Sequence, residues 1–175
     1  SIPNPIPTTI YRPKDQTLSR KKMDLPLDKK LLLFGAMNVS DRRKGFEPFV
    51  KACYELREKG YTQEELGIVV MGHHAEELKA VSPFPVYPMG YMDATEQIVA
   101  VYNAVDLYVT SSLEENLPNM IMEAMACGVP CVGFDVGGIP EMIDHQENGY
   151  VAVYGDEVDL AAGMQWVLQE SGEQD

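Results

Sequence analysis

The sequence predicts an α/β domain built on a doubly wound parallel sheet, and three observations carry that reading. Short continuous apolar runs such as Leu31-Leu32-Leu33-Phe34 and Ile68-Val69-Val70-Met71 have the pattern of strands buried on both faces. Segments with apolar residues at helical spacing alternate with them, which is the signature of strands joined by crossover helices. A chain of 175 residues that is 45% hydrophobic suits one such core.

Residues 1–28 are punctuated by Pro3, Pro5, Pro7, Pro13 and Pro26 without an apolar period, so they read as extended linker and leading loop. The first strand, Leu31 to Phe34, ends at Gly35. A loop carrying Asp41-Arg42-Arg43-Lys44-Gly45 leads into a helix from Phe46 to Lys59, with Phe49, Cys53 and Leu56 on one face and Gly60 as the stop. Thr62 to Glu65 has capping-box spacing on a short turn before the second strand, Ile68 to Met71. After Gly72, a brief helix over Ala75 to Ala80 precedes a short third strand, Val86 to Met89, whose Pro88 points to the sheet's edge. Asp93 and Glu96 are candidate caps for a helix reaching Asn103, and Leu107 to Thr110 is a fourth strand. A helix over Pro118 to Ala126 has proline in its first turn, Gly128 past its end and Pro130 beyond. Cys131 to Phe134 is a fifth strand, Gly137-Gly138 a turn and Ile139 to Ile143 a helical turn. Tyr150 to Val153 is a last strand before a helix from Glu157 to Leu168.

The formal net charge of -13 argues against a nucleic-acid partner or broad attraction to an anionic surface. No apolar run approaches the roughly 18–20 residues a bilayer span needs. Cys53, Cys127 and Cys131 fall in core helix, helix end and core strand, so they read as buried thiols of a reducing, cytoplasmic compartment rather than as a disulfide, redox or metal set.

Sheets of this kind bind ligands beyond the carboxyl ends of their strands. The three loops that matter follow the first strand (35–45), the third (Gly90-Tyr91-Met92-Asp93) and the fourth (111–119). Glu115-Asn116-Leu117-Pro118-Asn119 turns into a helix, whose free N–H groups offer an anion site. Asn119 and Glu123, four apart, share a helix face, where a carboxylate can accept from vicinal hydroxyls. A solvated Glu123 is the plainer reading. Against it stand Met120, Ile121, Met122, Ala124 and Met125, which leave no polar face around it. His73 and His74 read as loop residues at the rim, the ten methionines as core filling, and Gly137-Gly138 lacks the rest of a dinucleotide fingerprint.

From Glu115 through Glu123-Ala124-Met125-Ala126-Cys127-Gly128-Val129-Pro130 to Gly133, the chain resembles the E-x7-E motif and following stretch of the family 4 (group 1) retaining glycosyltransferases of GT-B fold. The resemblance extends to Gly137-Gly138-Ile139-Pro140-Glu141, Tyr102-Asn103-Ala104-Val105-Asp106 and Ile2-Pro3-Asn4-Pro5. It implies a Rossmann-like, nucleotide-sugar-binding domain over residues 29–175, preceded by an interdomain linker over 1–28. It further implies that Glu123 binds the ribose, that Glu115 faces the transferred sugar, and that the backbone of Asn116, Leu117, Pro118 and Asn119 meets pyrophosphate and sugar. Gly35 belongs to the donor loop, and the Tyr91-Met92 backbone meets the nucleobase, with Tyr91 serving either that contact or packing alone.

The family's basic pair, G-R-x(5)-K-G, is matched only by Lys44-Gly45. Ala36 stands where the arginine belongs, and the loop is two residues longer. Two cations stabilise a leaving diphosphate better than one. Arg43 and Arg42 are the local replacements, with Arg43 preferred. The resemblance implies no metal or other cofactor, an acceptor-binding N-terminal domain outside this sequence, and therefore no transfer by the chain alone. Any peripheral membrane attachment belongs to that other half. Nucleobase, sugar and acceptor stay open. A nucleotide-sugar epimerase half and a non-catalytic regulatory α/β module are the alternatives from other functional classes.

Overall fold

The computed structural model of the chain describes residues 6–35, 42–72, 75–112 and 119–173, with side chains described outside 42–46 and 171–173. In chain order the elements are α1 (Gln16–Lys22), β1 (Lys30–Phe34), α2 (Arg42–Glu58), β2 (Leu66–Met71), α3 (Ala75–Val81), β3 (Val86–Gly90) and α4 (Thr95–Ala104). There follow β4 (Leu107–Val109), α5 (Asn119–Ala126), β5 (Cys131–Phe134), α6 (Ile139–Met142), β6 (Gly149–Ala152) and α7 (Glu157–Glu173). The strands form one parallel sheet in the order β3-β2-β1-β4-β5-β6. Strand order reverses between β1 and β4, the place where such sheets open a ligand crevice.

Alternation along the strands divides the core. Leu32 and Phe34 of β1 face one layer with α2, α3 and α7, where Phe34 stacks on Phe49 at 4.1 Å between ring centroids. Leu31 and Leu33 face the other, formed by α4, α5, α6 and the segment ahead of β1. Both faces are therefore apolar, which is why the strands read as unbroken hydrophobic runs. Pro88 lies on the edge strand β3, as expected. The close of α5 is a Schellman motif: Gly128, at φ 82°, donates to the Met125 carbonyl at 2.9 Å, and Val129 donates to that of Ala124 at 2.9 Å.

Three readings are corrected. The leading segment is not all loop, because it holds α1, capped by the Asp15 carboxylate accepting from the Leu18 N–H at 2.8 Å. This helix buries polar side chains, Ser19 and Arg20, so the apolar-period test is blind to it. Arg20 pairs with Asp106 at 2.8 Å and donates to the carbonyls of Ala104 (2.7 Å) and Lys29 (2.9 Å). The second correction concerns α2, which starts at Arg42 and so takes Lys44 into its first turn. Pro48 then lies inside the helix, forgoing one backbone bond. Finally, α4 has Ala94 rather than Asp93 at its cap, with no side-chain bond, while Glu96 reaches Lys22 of α1 at 2.6 Å. That cross-helix ion pair takes the carboxylate that capping would have used.

Candidate donor-binding site

Of the expected site residues, the structure describes Gly35, Tyr91, Met92, Asn119 and Glu123 in full. Glu115, Asn116, Leu117 and Pro118 lie outside the described residues, as do His73, His74 and the side chains of Arg42, Arg43 and Lys44. Gly35 follows β1 at its carboxyl end and donates to the Val109 carbonyl at 2.9 Å, tying the start of its loop to β4. A Cβ there would sit 1.9 Å from the Tyr108 hydroxyl oxygen and 2.6 Å from Cζ, so glycine is required by close approach of a buried ring. Beyond β4, Thr110 and Ser111 are buried polar residues at the same edge. Tyr91, just past β3, is 74% exposed, so packing alone does not account for it. Met92 is half-buried beside the apolar layer of α4 and α5.

Glu123 sits one turn into α5, half-buried, with Ile121 and Ala124 of the same helix facing the core. Its Oε1 accepts a 2.7 Å hydrogen bond from the hydroxyl of Tyr102, a fully buried residue of α4. Burial above all, and then the Glu123 charge and hydrogen bond, push the Tyr102 phenol well above its ordinary range. Tyr11, from the segment ahead of α1, is raised by the same causes in the same order. Both phenols are thus protonated at neutral pH; that of Tyr102 bonds Glu123, and that of Tyr11 faces the same carboxylate. The sequence signal for Tyr102 was its place in the resembling Tyr102–Asp106 stretch. Tyr11 had no signal.

Cys53, Cys127 and Cys131 are buried free thiols, and burial pushes Cys127 up to about 11. A cleft of about 660 Å³ is lined by Lys30, Asp106, Pro130, Asn148 and Trp166. These residues stand at the amino-terminal edge of the sheet, opposite the loops that follow β1, β3 and β4. The carboxyl edge is favoured as the site because free helix starts and strand-order reversal meet there. No helix among the described residues is long and apolar enough to cross a membrane.

Comparison with known proteins agrees with this geometry. The family model described as "Glycosyl transferases group 1" matches residues 28–170. The N-acetyl-alpha-D-glucosaminyl L-malate synthase of Bacillus anthracis is 29% identical over 92% of this chain, which spans 42% of that protein's length. Among solved structures, the Anabaena HepE protein in complex with UDP-glucose superposes with a TM-score of 0.76 at 20% identity, covering 98% of this chain and 48% of that one. The C-terminal domain of a group 1 glycosyl transferase from Francisella tularensis gives 0.76 at 21% identity, covering 96% of this chain and 90% of that one. The chain therefore spans less than half the length of the Bacillus and Anabaena proteins, and its fold is one Rossmann-like domain of the GT-B architecture. By the family match over most of its residues, the chain belongs to the group 1 glycosyltransferase family.

Proposed function

We propose that the chain is the donor-binding half of a retaining glycosyltransferase, which moves a sugar from a nucleoside diphosphate to an acceptor held on a second domain. The observation that carries this reading is the run from Glu115 to Gly133. It leads from β4 through α5 into β5 beside the strand-order reversal and keeps a carboxylate, Glu123, half-buried in a helix whose residues after Asn119 are otherwise apolar. A half-buried carboxylate needs hydrogen-bond donors. A ribose diol offers two.

In this reading the nucleotide lies across the carboxyl ends of β1 and β4. Glu123 accepts from the ribose hydroxyls. The start of α5 and its preceding turn receive the pyrophosphate, where N–H groups lack intrahelical partners. As the bond from the anomeric carbon to the β-phosphate oxygen breaks, the departing diphosphate gains negative charge. Lys44 and Arg43, in the first turn of α2, are the groups assigned to neutralise it. In a chain of net charge -13, a diphosphate depends on such local cations. Glu115 is assigned to the transferred sugar, the Asn116–Asn119 backbone to phosphate and sugar, and the Tyr91-Met92 edge to the base. No metal or cofactor is assigned. The relatives' greater length supports an acceptor site on the second domain, so this chain is expected to bind donor weakly and transfer no sugar.

Titration calorimetry with UDP, GDP and ADP, each alone and as its glucose conjugate, tests the reading. Glu123→Ala is expected to cost about 1–3 kcal/mol of nucleotide affinity, the worth of hydrogen bonds to a charged group. Unchanged affinity would remove the ribose assignment. Lys44→Ala is expected to weaken the diphosphates by roughly tenfold or more while leaving the parent nucleosides within about twofold, because only the phosphates carry charge for it to meet. Equal losses for both would contradict its phosphate role.

A further inference from the structure

The segment ahead of the sheet touches the proposed nucleotide site. Asn103, 6% exposed and next in sequence to Tyr102, holds that segment to α4. Its Oδ1 accepts from the Lys14 N–H at 2.6 Å, and its Nδ2 donates to the carbonyls of Arg12 (3.1 Å) and Val99 (3.0 Å). Pro13 lies against the end of α5, 3.4 Å from where a Gly128 Cβ would be. Tyr11, buried, meets the Tyr102 ring edge-on, with centroids 6.4 Å apart and planes at 65°. Residues 11–14 thus bridge α4 and the helix that carries Glu123.

Phenylalanine would fill both tyrosine positions as well as tyrosine does, since each ring is buried in the apolar layer. What phenylalanine lacks is the hydroxyl, and the Tyr102 hydroxyl serves the Glu123 carboxylate at 2.7 Å. An ionised carboxylate offers about four lone-pair directions. The Tyr102 phenol occupies one of them, which restricts the plane of the group and leaves others for an incoming pair of hydroxyls. Side chains locked in this way recognise a ligand at less entropic cost than free ones.

We propose that Tyr102 and Tyr11 are positioning residues for donor recognition. The Tyr102 hydroxyl holds Glu123 in the orientation that accepts a vicinal diol, and Tyr11 braces the Tyr102 ring edge-on, so that residues 11–14 build part of the nucleotide site. The inference rests on the ribose-binding reading of Glu123 and adds to it the device that aims the carboxylate. It also links the segment leading into the domain to donor affinity, because any movement of residues 11–14 shifts Tyr11 against Tyr102.

The test measures how well the 175-residue chain distinguishes UDP, GDP and ADP from their 2′-deoxy counterparts. Calorimetry is run on wild type, Glu123→Ala, Tyr102→Phe and Tyr11→Ala, each checked for a native circular-dichroism spectrum. Wild type is expected to favour the ribonucleotide of its preferred base by about tenfold, with Glu123→Ala abolishing that preference. Tyr102→Phe, which removes the bond to Glu123, and Tyr11→Ala, which removes the ring that braces Tyr102, are each expected to lower it by about threefold or more, leaving affinity for the deoxynucleotide within about twofold. A lowered preference at unchanged deoxynucleotide affinity is something a merely structural side chain does not produce. If Glu123→Ala abolishes the preference but both tyrosine variants keep it, the positioning role is overturned and the ribose reading stands. If the tyrosine variants weaken ribo- and deoxynucleotide equally, the two tyrosines serve folding, and the inference again fails. Glu123→Ala retaining the preference, or wild type binding none of the three nucleotides, removes the underlying reading and this inference with it.

Discussion

Arg20→Met is expected to destabilise the domain by about 3–5 kcal/mol, a large share of the roughly 5–15 kcal/mol that holds a domain of this size together. The guanidinium lies at 6% side-chain exposure against an Asp106 carboxylate at 9%, so neither charge has bulk water to fall back on. Arg20 also donates to the Ala104 and Lys29 carbonyls, the first at the end of α4 and the second just ahead of β1. Asp106 in turn accepts from the Leu31 N–H at 2.8 Å with the oxygen that meets Arg20. One buried pair thereby ties α1, α4 and the entrances to β1 and β4. Methionine matches the volume of the arginine stem but leaves the carboxylate without its cation and the carbonyls of Pro26, Lys29 and Ala104 without this donor. Urea unfolding followed by circular dichroism reads the effect as a lower midpoint at unchanged slope. Arg20→Met combined with Asp106→Leu is expected to recover much of the loss, since a pair replaced whole by apolar groups leaves no stranded charge. A loss under about 1 kcal/mol for Arg20→Met would show that water reaches the pair and that α1 is not anchored by it.

That anchor also marks where legibility in the sequence ends. Strands buried on both faces announce themselves as runs such as Leu31–Phe34, and β5 occupies the residues its pattern indicates, Cys131–Phe134. The end of α5 was legible because Gly128 and Pro130 are residues whose backbone chemistry has few other uses there. A helix that buries Ser19 and Arg20 carries no apolar period, and the partners that make it stable, Ala104 and Asp106, lie 84 and 86 residues away. Its local signal, Asp15 as cap and basic residues in the last turn, is weaker than the surrounding prolines. The start of α2 at Arg42 was missed for a related reason, since its first turn holds the charged Arg42, Arg43 and Lys44 and the apolar spacing of Phe49, Cys53 and Leu56 begins only later. The site divides similarly. Glu123 stood out through its apolar neighbours, whereas Tyr102 and Tyr11 at buried positions look like any aromatic core residues until the fold brings the Tyr102 hydroxyl to Glu123 and the Tyr11 ring against Tyr102. The first of these contacts spans 21 residues of sequence, and the second joins α4 to the segment ahead of the sheet.

The other large effect is expected at Gly35, where the position is limited by space alone. Its φ is not positive, so alanine meets no backbone strain. What alanine meets is the Tyr108 ring, with Oη at 1.9 Å, Cζ at 2.6 Å and Cε1 at 2.8 Å from the added methyl. Tyr108 is fully buried in the middle of the sheet, in register with Leu33 of β1 and Cys131 of β5, so the ring has little room to retreat. Gly35→Ala is therefore expected to cost toward the upper end of the ~1–3 kcal/mol typical of overpacked cores. In the Tyr108→Phe background the cost falls, because the nearest atom is gone and the ring can slide into the vacated volume, though contact with the remaining ring carbons keeps the relief partial. The four unfolding midpoints of that cycle report the coupling directly. If the ring holds its place, strain passes instead to the Gly35 N–H bond with Val109, which sets where the loop after β1 leaves the sheet. That loop leads to Lys44 at the start of α2, so a shift there also weakens nucleoside diphosphates, by about tenfold for an ångström-scale displacement of a charged contact. Gly35→Ala with both stability and diphosphate affinity unchanged would mean that the ring moves freely. The close approach of β1 and β4 would then not be what positions the donor loop.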